Sequence, residues 1–206
     1  VELAQPSISE LLRECERLHG HICPGQLLGV RMALLGCRLV EISDPRGADR
    51  KKLIVWVEID RCMSDAVGAV VGVSLGRRSL KFLDYGKVAA SFLNQRTGKA
   101  VRVAALDSSR ALADDLHPEI ESKKERQMLA YRELPDTALF KVEAVSIELG
   151  ENDLPGHPRG RVACSNCSEG VNDGREVKTN ASGEILCRPC ANGAYYTNPR
   201  PITHTA

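Results

Sequence analysis

Residues 164–190 read CSNCSEGVNDGREVKTNASGEILCRPC, and the pairs at its two ends, Cys164-x-x-Cys167 and Cys187-x-x-Cys190, set the character of the C-terminal part of the chain. The 19 residues between the pairs fall inside the spacing of four-cysteine zinc sites. Two residues between thiols let both sulfurs turn onto one ion at about 2.3 Å, and four thiolates complete a tetrahedral shell with no open position. Such a site orders the chain rather than doing chemistry. Eight cysteines in all would permit four disulfides. Disulfide scaffolds are small, secreted and poor in core, however, so two CxxC pairs are better explained by a metal.

Between the pairs, Arg175 to Thr179 and Glu184 to Leu186 flank Asn180-Ala181-Ser182-Gly183, a hairpin signature, and the second pair then opens a short helix. That order of knuckle, hairpin and helix resembles a treble-clef finger. Around it, Arg159, Arg161, Arg175, Lys178, Arg188 and Arg200 stand against Glu169, Asp173, Glu176 and Glu184. This excess is too weak for a nucleic-acid module, so protein contact is the expected use of the finger, with Tyr195 and Tyr196 packing against a neighbouring domain.

Upstream, Glu151 to Gly160 is polar and rich in proline and glycine, which predicts a joint. The expected organisation is a core domain over 1–150, a linker over 151–160 and a four-cysteine finger over 161–206. A chain of 206 residues has room for one sizeable core plus one module. With 28 basic and 27 acidic residues it lacks the global field that draws proteins to nucleic acid or anionic membranes. The first residues, VELAQPSISELLREC, carry acids and no uninterrupted apolar stretch, and no segment is long enough to span a bilayer. The expectation is a cytoplasmic protein with no membrane partner.

Within the core, Ile8, Leu11, Leu12, Cys15 and Leu18 recur at helical spacing behind Ser7, and a second apolar helix follows from Gln26 to about Val40. Lys52 to Ile59 reads as a strand leading to a short helix that Ser64 can cap and that runs to Val71. Ser79 to Leu83, Ala100 to Leu106 and Leu139 to Leu149 read as further strands. Tyr85-Gly86-Lys87 is expected to open a helix carrying Val88, Phe92 and Leu93, and Ser108 to Leu134 is helical with a break near His117-Pro118. The predicted class is an α+β core with a small C-terminal treble-clef zinc finger.

Two helical patterns meet at His19-Gly20-His21-Ile22-Cys23-Pro24-Gly25, which brings two imidazoles and a thiol to the start of a helix whose dipole favours a thiolate. Cys62, with Asp60 and Asp65 close by in sequence, is the other candidate, because a thiol at a strand end beside carboxylates can complete a metal shell. His19, His21, Cys23 and Cys62 are therefore the candidate ligands of a second divalent metal. The bland alternative makes both thiols small buried hydrophobes and both histidines turn residues. Cys15 and Cys37, on apolar helical faces, belong to the core.

The string from His19 to Gly25 with Gly29 and Arg31, then Glu58-Ile59-Asp60-Arg61-Cys62-Met63-Ser64-Asp65-Ala66, then Leu75-Gly76 and Asp84-Tyr85-Gly86-Lys87, resembles the FmdE family of formylmethanofuran dehydrogenase components. The likeness covers the chain to roughly residue 150, and some members add a C-terminal zinc finger. The resemblance implies an α+β core, a homodimer, and a metal-binding cleft lined by His21, Cys23 and Cys62. It also implies association with a larger molybdenum or tungsten oxidoreductase complex. Where many relatives carry Gly-Cys-Thr, this chain has Gly72-Val73-Ser74, which removes one candidate sulfur ligand. Three functions follow. One is a metal-binding accessory protein. Another is a metal-dependent enzyme with an open position at His21, Cys23 and Cys62, Asp60 or Asp65 as base and Lys87 as an anion contact. The third is a nucleic-acid-binding regulator acting through the finger.

Overall fold

The computed structural model describes residues 6–179 and 183–200. The chain divides into two compact units between Glu148 and Leu149.

The first unit opens with α1 (Ile8–His19). Ser7 and Glu10 close a capping box at its start, the Glu10 amide donating to the Ser7 hydroxyl at 3.3 Å and the Ser7 amide to the Glu10 carboxylate at 2.8 Å. Gly20, at φ 90°, ends the helix in the left-handed region that glycine adopts without steric cost. The chain then enters α2 (Pro24–Leu39), β1 (Leu53–Val57), α3 (Cys62–Val71), β2 (Leu80–Phe82), β3 (Ala89–Asn94) and β4 (Ala100–Ala105). It continues through α4 (Ser108–Leu116), α5 (Lys123–Glu133), α6 (Asp136–Leu139) and β5 (Phe140–Ala144). The five strands form one sheet in the order β2-β1-β3-β4-β5, parallel between β1 and β2 and antiparallel elsewhere.

Period-two alternation puts Leu53, Val55 and Val57 of β1 on the core face, with Phe92 opposite Val55 and Ala90 opposite Val57. Val101 and Val103 of β4 continue that row. Leu11 and Leu12 of α1, Leu27, Val30 and Met32 of α2, and Met63 and Val67 of α3 join them in one buried cluster. Two glycines let α2 lie close to its neighbours. A Cβ at Gly29 would stand 2.5 Å from the Met63 carbonyl oxygen of α3, and one at Gly36 would stand 2.3 Å from the Phe92 ring of β3.

Two local expectations are corrected. No helix opens at Tyr85: the amides of Leu83, Tyr85 and Lys87 bond the carbonyls of Val57 and Glu58, and the residues that follow form β3, all six of them buried. Val88 and Phe92 are four apart, a separation shared by a helical face and a strand face, and only the two flanking strands decide between them. Ser64 is likewise no cap. α3 begins at Cys62 behind Arg61, and the Ser64 hydroxyl donates to the Ile59 carbonyl from inside the first turn.

The second unit contains the antiparallel pair β6 (Arg161–Ala163) and β7 (Gly170–Asn172), the pair β8 (Val177–Lys178) and β9 (Ile185–Leu186), and α7 (Arg188–Asn192). This is the knuckle, hairpin and helix order of a treble clef. The expected turn residues 180–182 lie outside the described residues. The segment 151–160 is tied to this unit. Glu151–Asp153 makes a 3-10 turn, Arg175 binds the Asp153 carboxylate at 2.6 Å and the Asn152 carbonyl at 2.9 Å, and the Arg159 amide donates to Asp173 at 2.7 Å.

Candidate metal centres

In the second unit, Cys164 follows β6, Cys167 ends the knuckle turn, Cys187 is the N-cap of α7 and Cys190 sits in its first turn. The four sulfurs lie within 4.8 Å of one another, and Cys167 and Cys187 are 3.8 Å apart. A tetrahedron with arms of about 2.3 Å has edges of about 3.8 Å. The donor set and its spacing therefore fit a tetrathiolate ion site. Cys164 and Cys187 are buried, and the backbone amides of Cys167 and Cys187 point at Cys164 Sγ, the latter at 3.2 Å. These amides favour the thiolate and pull the Cys164 thiol down to about 6.

In the first unit three helix ends converge. His19 is the last residue of α1, Cys23 the N-cap of α2 and Cys62 the first residue of α3, and one ligand atom from each lies within 4.8 Å of the others. Both thiols thus sit at helix N-termini. The first turn of α2 rests directly on α3: a Cβ at Gly25 would be 3.4 Å from Cys62 Cβ and 3.7 Å from Cys23 Sγ. All three ligand candidates are half-buried. Burial, reinforced by the neighbouring Cys23 sulfur, pushes the Cys62 thiol up.

Asp65, one turn into α3, accepts from His19 Nδ1 at 2.8 Å. That contact holds the ring in place, as carboxylates behind metal-binding histidines do. The donors present therefore suit a divalent ion of the zinc type, with three protein ligands.

His21 is exposed and outside this set, its ring tilted 46° against His19 at a centroid distance of 4.8 Å. Asp60 and Lys87 are exposed, Lys87 anchored through its amide to the Glu58 carbonyl. Val73 is buried just beyond α3, and Cys15 and Cys37 are buried in the core. Tyr195 is exposed and meets Tyr196 edge to face at 5.1 Å. One residue beside the site is not singled out by the sequence. Gln26, three positions after Cys23, is fully buried, gives its amide to the Cys15 carbonyl at 3.3 Å and leaves Oε1 with no hydrogen-bond partner among the described residues. Its signal is a polar side chain on the apolar face of a helix whose other polar residues, Arg31 and Arg38, are not buried.

Among curated proteins, a probable S-adenosyl-L-methionine-binding protein of Archaeoglobus fulgidus is 34% identical over 100 residues, 48% of this chain and 27% of that protein. The chain thus spans about a quarter of that relative's length. Among solved structures, the crystal structure of an FmdE-like protein of the tungsten formylmethanofuran dehydrogenase type from Syntrophus aciditrophicus matches with a TM-score of 0.62 at 23% identity. That match covers 95% of this chain and 97% of the other, and it shows a shared fold. Residues 18–142 match the family described as FmdE, molybdenum formylmethanofuran dehydrogenase operon, a stretch that contains all three converging helix ends, and the chain belongs to that family.

Proposed function

We propose that the protein is a metal-binding accessory protein of the formylmethanofuran dehydrogenase type. Its core holds a divalent ion through His19, Cys23 and Cys62 and keeps a coordination position for a small ligand, while its C-terminal unit is a structural zinc finger used for protein contact. The observation that carries this reading is the convergence of three soft donors from three helix ends, with Asp65 orienting the imidazole. An ion with three protein ligands supplies a Lewis-acid position. The protein's own part is to place that position at a partly open surface and to hold Nδ1 of His19 on Asp65.

The finger's part in protein contact is supported by the exposed Tyr195 and Tyr196 pair and by its charge. From Leu149 onward, Arg159, Arg161, Arg175, Lys178, Arg188 and Arg200 balance Glu151, Asp153, Glu169, Asp173, Glu176 and Glu184. Such neutrality gives no counterion-release drive towards nucleic acid. The three-donor geometry also favours a second reading, in which the open position serves a metal-dependent reaction. S-adenosylmethionine, named for the Archaeoglobus relative, is the first small ligand to titrate into the loaded protein.

The test is metal content per chain after purification without added metal. About two ions in the wild type, falling to about one in Cys23→Ser/Cys62→Ser, is the expected result. About one in both proteins overturns the core site and leaves only the finger.

A further inference from the structure

We propose that Cys23 and Cys62 form a reversible disulfide, which makes the core site an oxidation-sensitive switch that releases its ligand-binding capacity. The inference rests on the three-donor site for its consequence but not for its chemistry. Of the eight cysteines, four are committed to the finger, and Cys15 and Cys37 are buried in the core. Cys23 and Cys62 alone are both half-buried and adjacent, their sulfurs within 4.8 Å. The pair lies at the starts of two adjoining helices, and thiol–disulfide exchange can join the two sulfurs by way of a mixed disulfide. Bonding requires the sulfurs to approach to about 2.05 Å, and the first turn of α2 already rests on the start of α3, where a Cβ at Gly25 would lie 3.4 Å from Cys62 Cβ and 3.7 Å from Cys23 Sγ.

The oxidant is a low-molecular-weight disulfide, RS–SR. One protein thiolate attacks a sulfur of RS–SR, forms a mixed disulfide and expels RS⁻, which takes up a proton. The other protein thiolate then attacks the protein-side sulfur of the mixed disulfide and expels the second RS⁻. Two protein thiols lose two electrons and two protons in total, and the small disulfide is reduced to two RSH. Both sulfur ligands are consumed, and His19 alone cannot retain a divalent ion.

The 206-residue protein, stripped with a chelator, is incubated with oxidised glutathione, alkylated, and digested with trypsin. Cys23 falls in the peptide 18–31 and Cys62 in 62–77, each holding a single cysteine. The expected result is a linked 18–31/62–77 peptide from material that runs as a single chain without reductant. The link is lost on reduction and replaced by glutathionylated 18–31 in Cys62→Ser. Separate glutathione adducts on the two peptides with no link, or a link found only between two chains, overturns the proposal. Because the stripped protein is used, a link still forms if the core never held metal, so failure of the metal site and failure of the switch are read separately. In the loaded protein, oxidation is expected to release one ion per chain while the linked peptide appears; release without the link counts against the switch.

Discussion

Replacing Gly29 by alanine tests whether the approach of α2 to α3 builds the core site. The new Cβ would lie 2.5 Å from the Met63 carbonyl oxygen, 2.8 Å from Ala66 Cβ and 3.0 Å from Met63 Cα. Relief to ordinary contact needs a displacement of about 1 Å. The atoms struck are backbone and a β-carbon, so no rotamer change can provide it and the two helices must part. Overpacking of this kind costs about 1–3 kcal/mol, and the upper half applies when backbone must yield. Alanine returns about 1 kcal/mol of helix propensity. The net loss is therefore about 1–2 kcal/mol, or roughly 2–8 °C in Tm for a chain of this size. The sole tryptophan, Trp56, lies in β1, so its emission in a urea titration follows the core unit, and the midpoint should fall with the slope unchanged. A parting of about 1 Å also exceeds the tolerance of about 0.2 Å in metal–ligand distance, so an ion bound by His19, Cys23 and Cys62 should be lost while one bound by the four finger cysteines is kept. Gly68→Ala is the control. Its Cβ would meet only the Val73 carbonyl oxygen at 3.5 Å and Leu80 Cδ2 at 3.9 Å, so the same substitution inside α3 should stabilise by about 0.5–1 kcal/mol. A Gly29→Ala protein as stable as the wild type and fully loaded would refute the reasoning.

Arg102→Met should destabilise the core by about 3–5 kcal/mol in the same urea assay, because it strands buried Glu58, whose two oxygens each accept from the guanidinium at 2.7 Å. Adding Glu58→Gln should recover part of that loss, and a double variant as unstable as the single would argue against a stranded charge. Asp49 accepts from Lys52 Nζ at 2.6 Å and from the amides of Asp44 and Ser43, and these contacts hold its carboxyl well below the usual carboxylate range. A depressed folded pKa gives stability that is complete above the unfolded value of about 3.9 and is lost as pH falls below it. The gap in urea midpoint between wild type and Asp49→Asn should accordingly stay constant from about pH 7 to 5 and narrow below about pH 3.9. A gap that widened in acid would reverse the assignment.

The parts of the fold legible in the sequence are those whose signal is local. Ser7 and Glu10 announce α1, its apolar residues recur at helical spacing, and two CxxC pairs with a hairpin signature between them announce the finger. β3 is not legible in this way because Ala89 to Asn94 are buried on both faces and so carry no alternation, and only pairing with β1 and β4 makes them a strand. The core constellation is legible as a set of residue types but not as a geometry. His19 and His21 lie in one turn and are equivalent on paper. The left-handed residue Gly20 places them differently, so that His19 shares a centre with Cys23 and Cys62 while His21 faces solvent. Asp65 carries the same ambiguity: a carboxylate near a cysteine reads as a base until the helix register turns it onto His19.

The two donor sets differ in a way that bears on what each can do. Four thiolates around a zinc ion would leave a double negative charge and no vacant position, so a loaded finger would repel anions and its ion would contribute to folding the second unit. Its ligands come from turns and a short helix that have little core of their own, with Cys164 and Cys187 its only buried apolar side chains among the described residues. Two thiolates and an imidazole around such an ion would leave no net charge, so an anionic or soft neutral donor could approach without electrostatic penalty. The ligands of that site are held by α1, α2 and α3, which are packed into a large core without it. Removing an ion from the finger should therefore unfold its surroundings, whereas the core unit should stay folded when its ion is removed or exchanged. A site that survives the loss of its ion is the kind that can load, release and bind ligands, and the close approach of α2 to α3 at Gly29 and Met63 keeps Cys23 and Cys62 on adjoining helices.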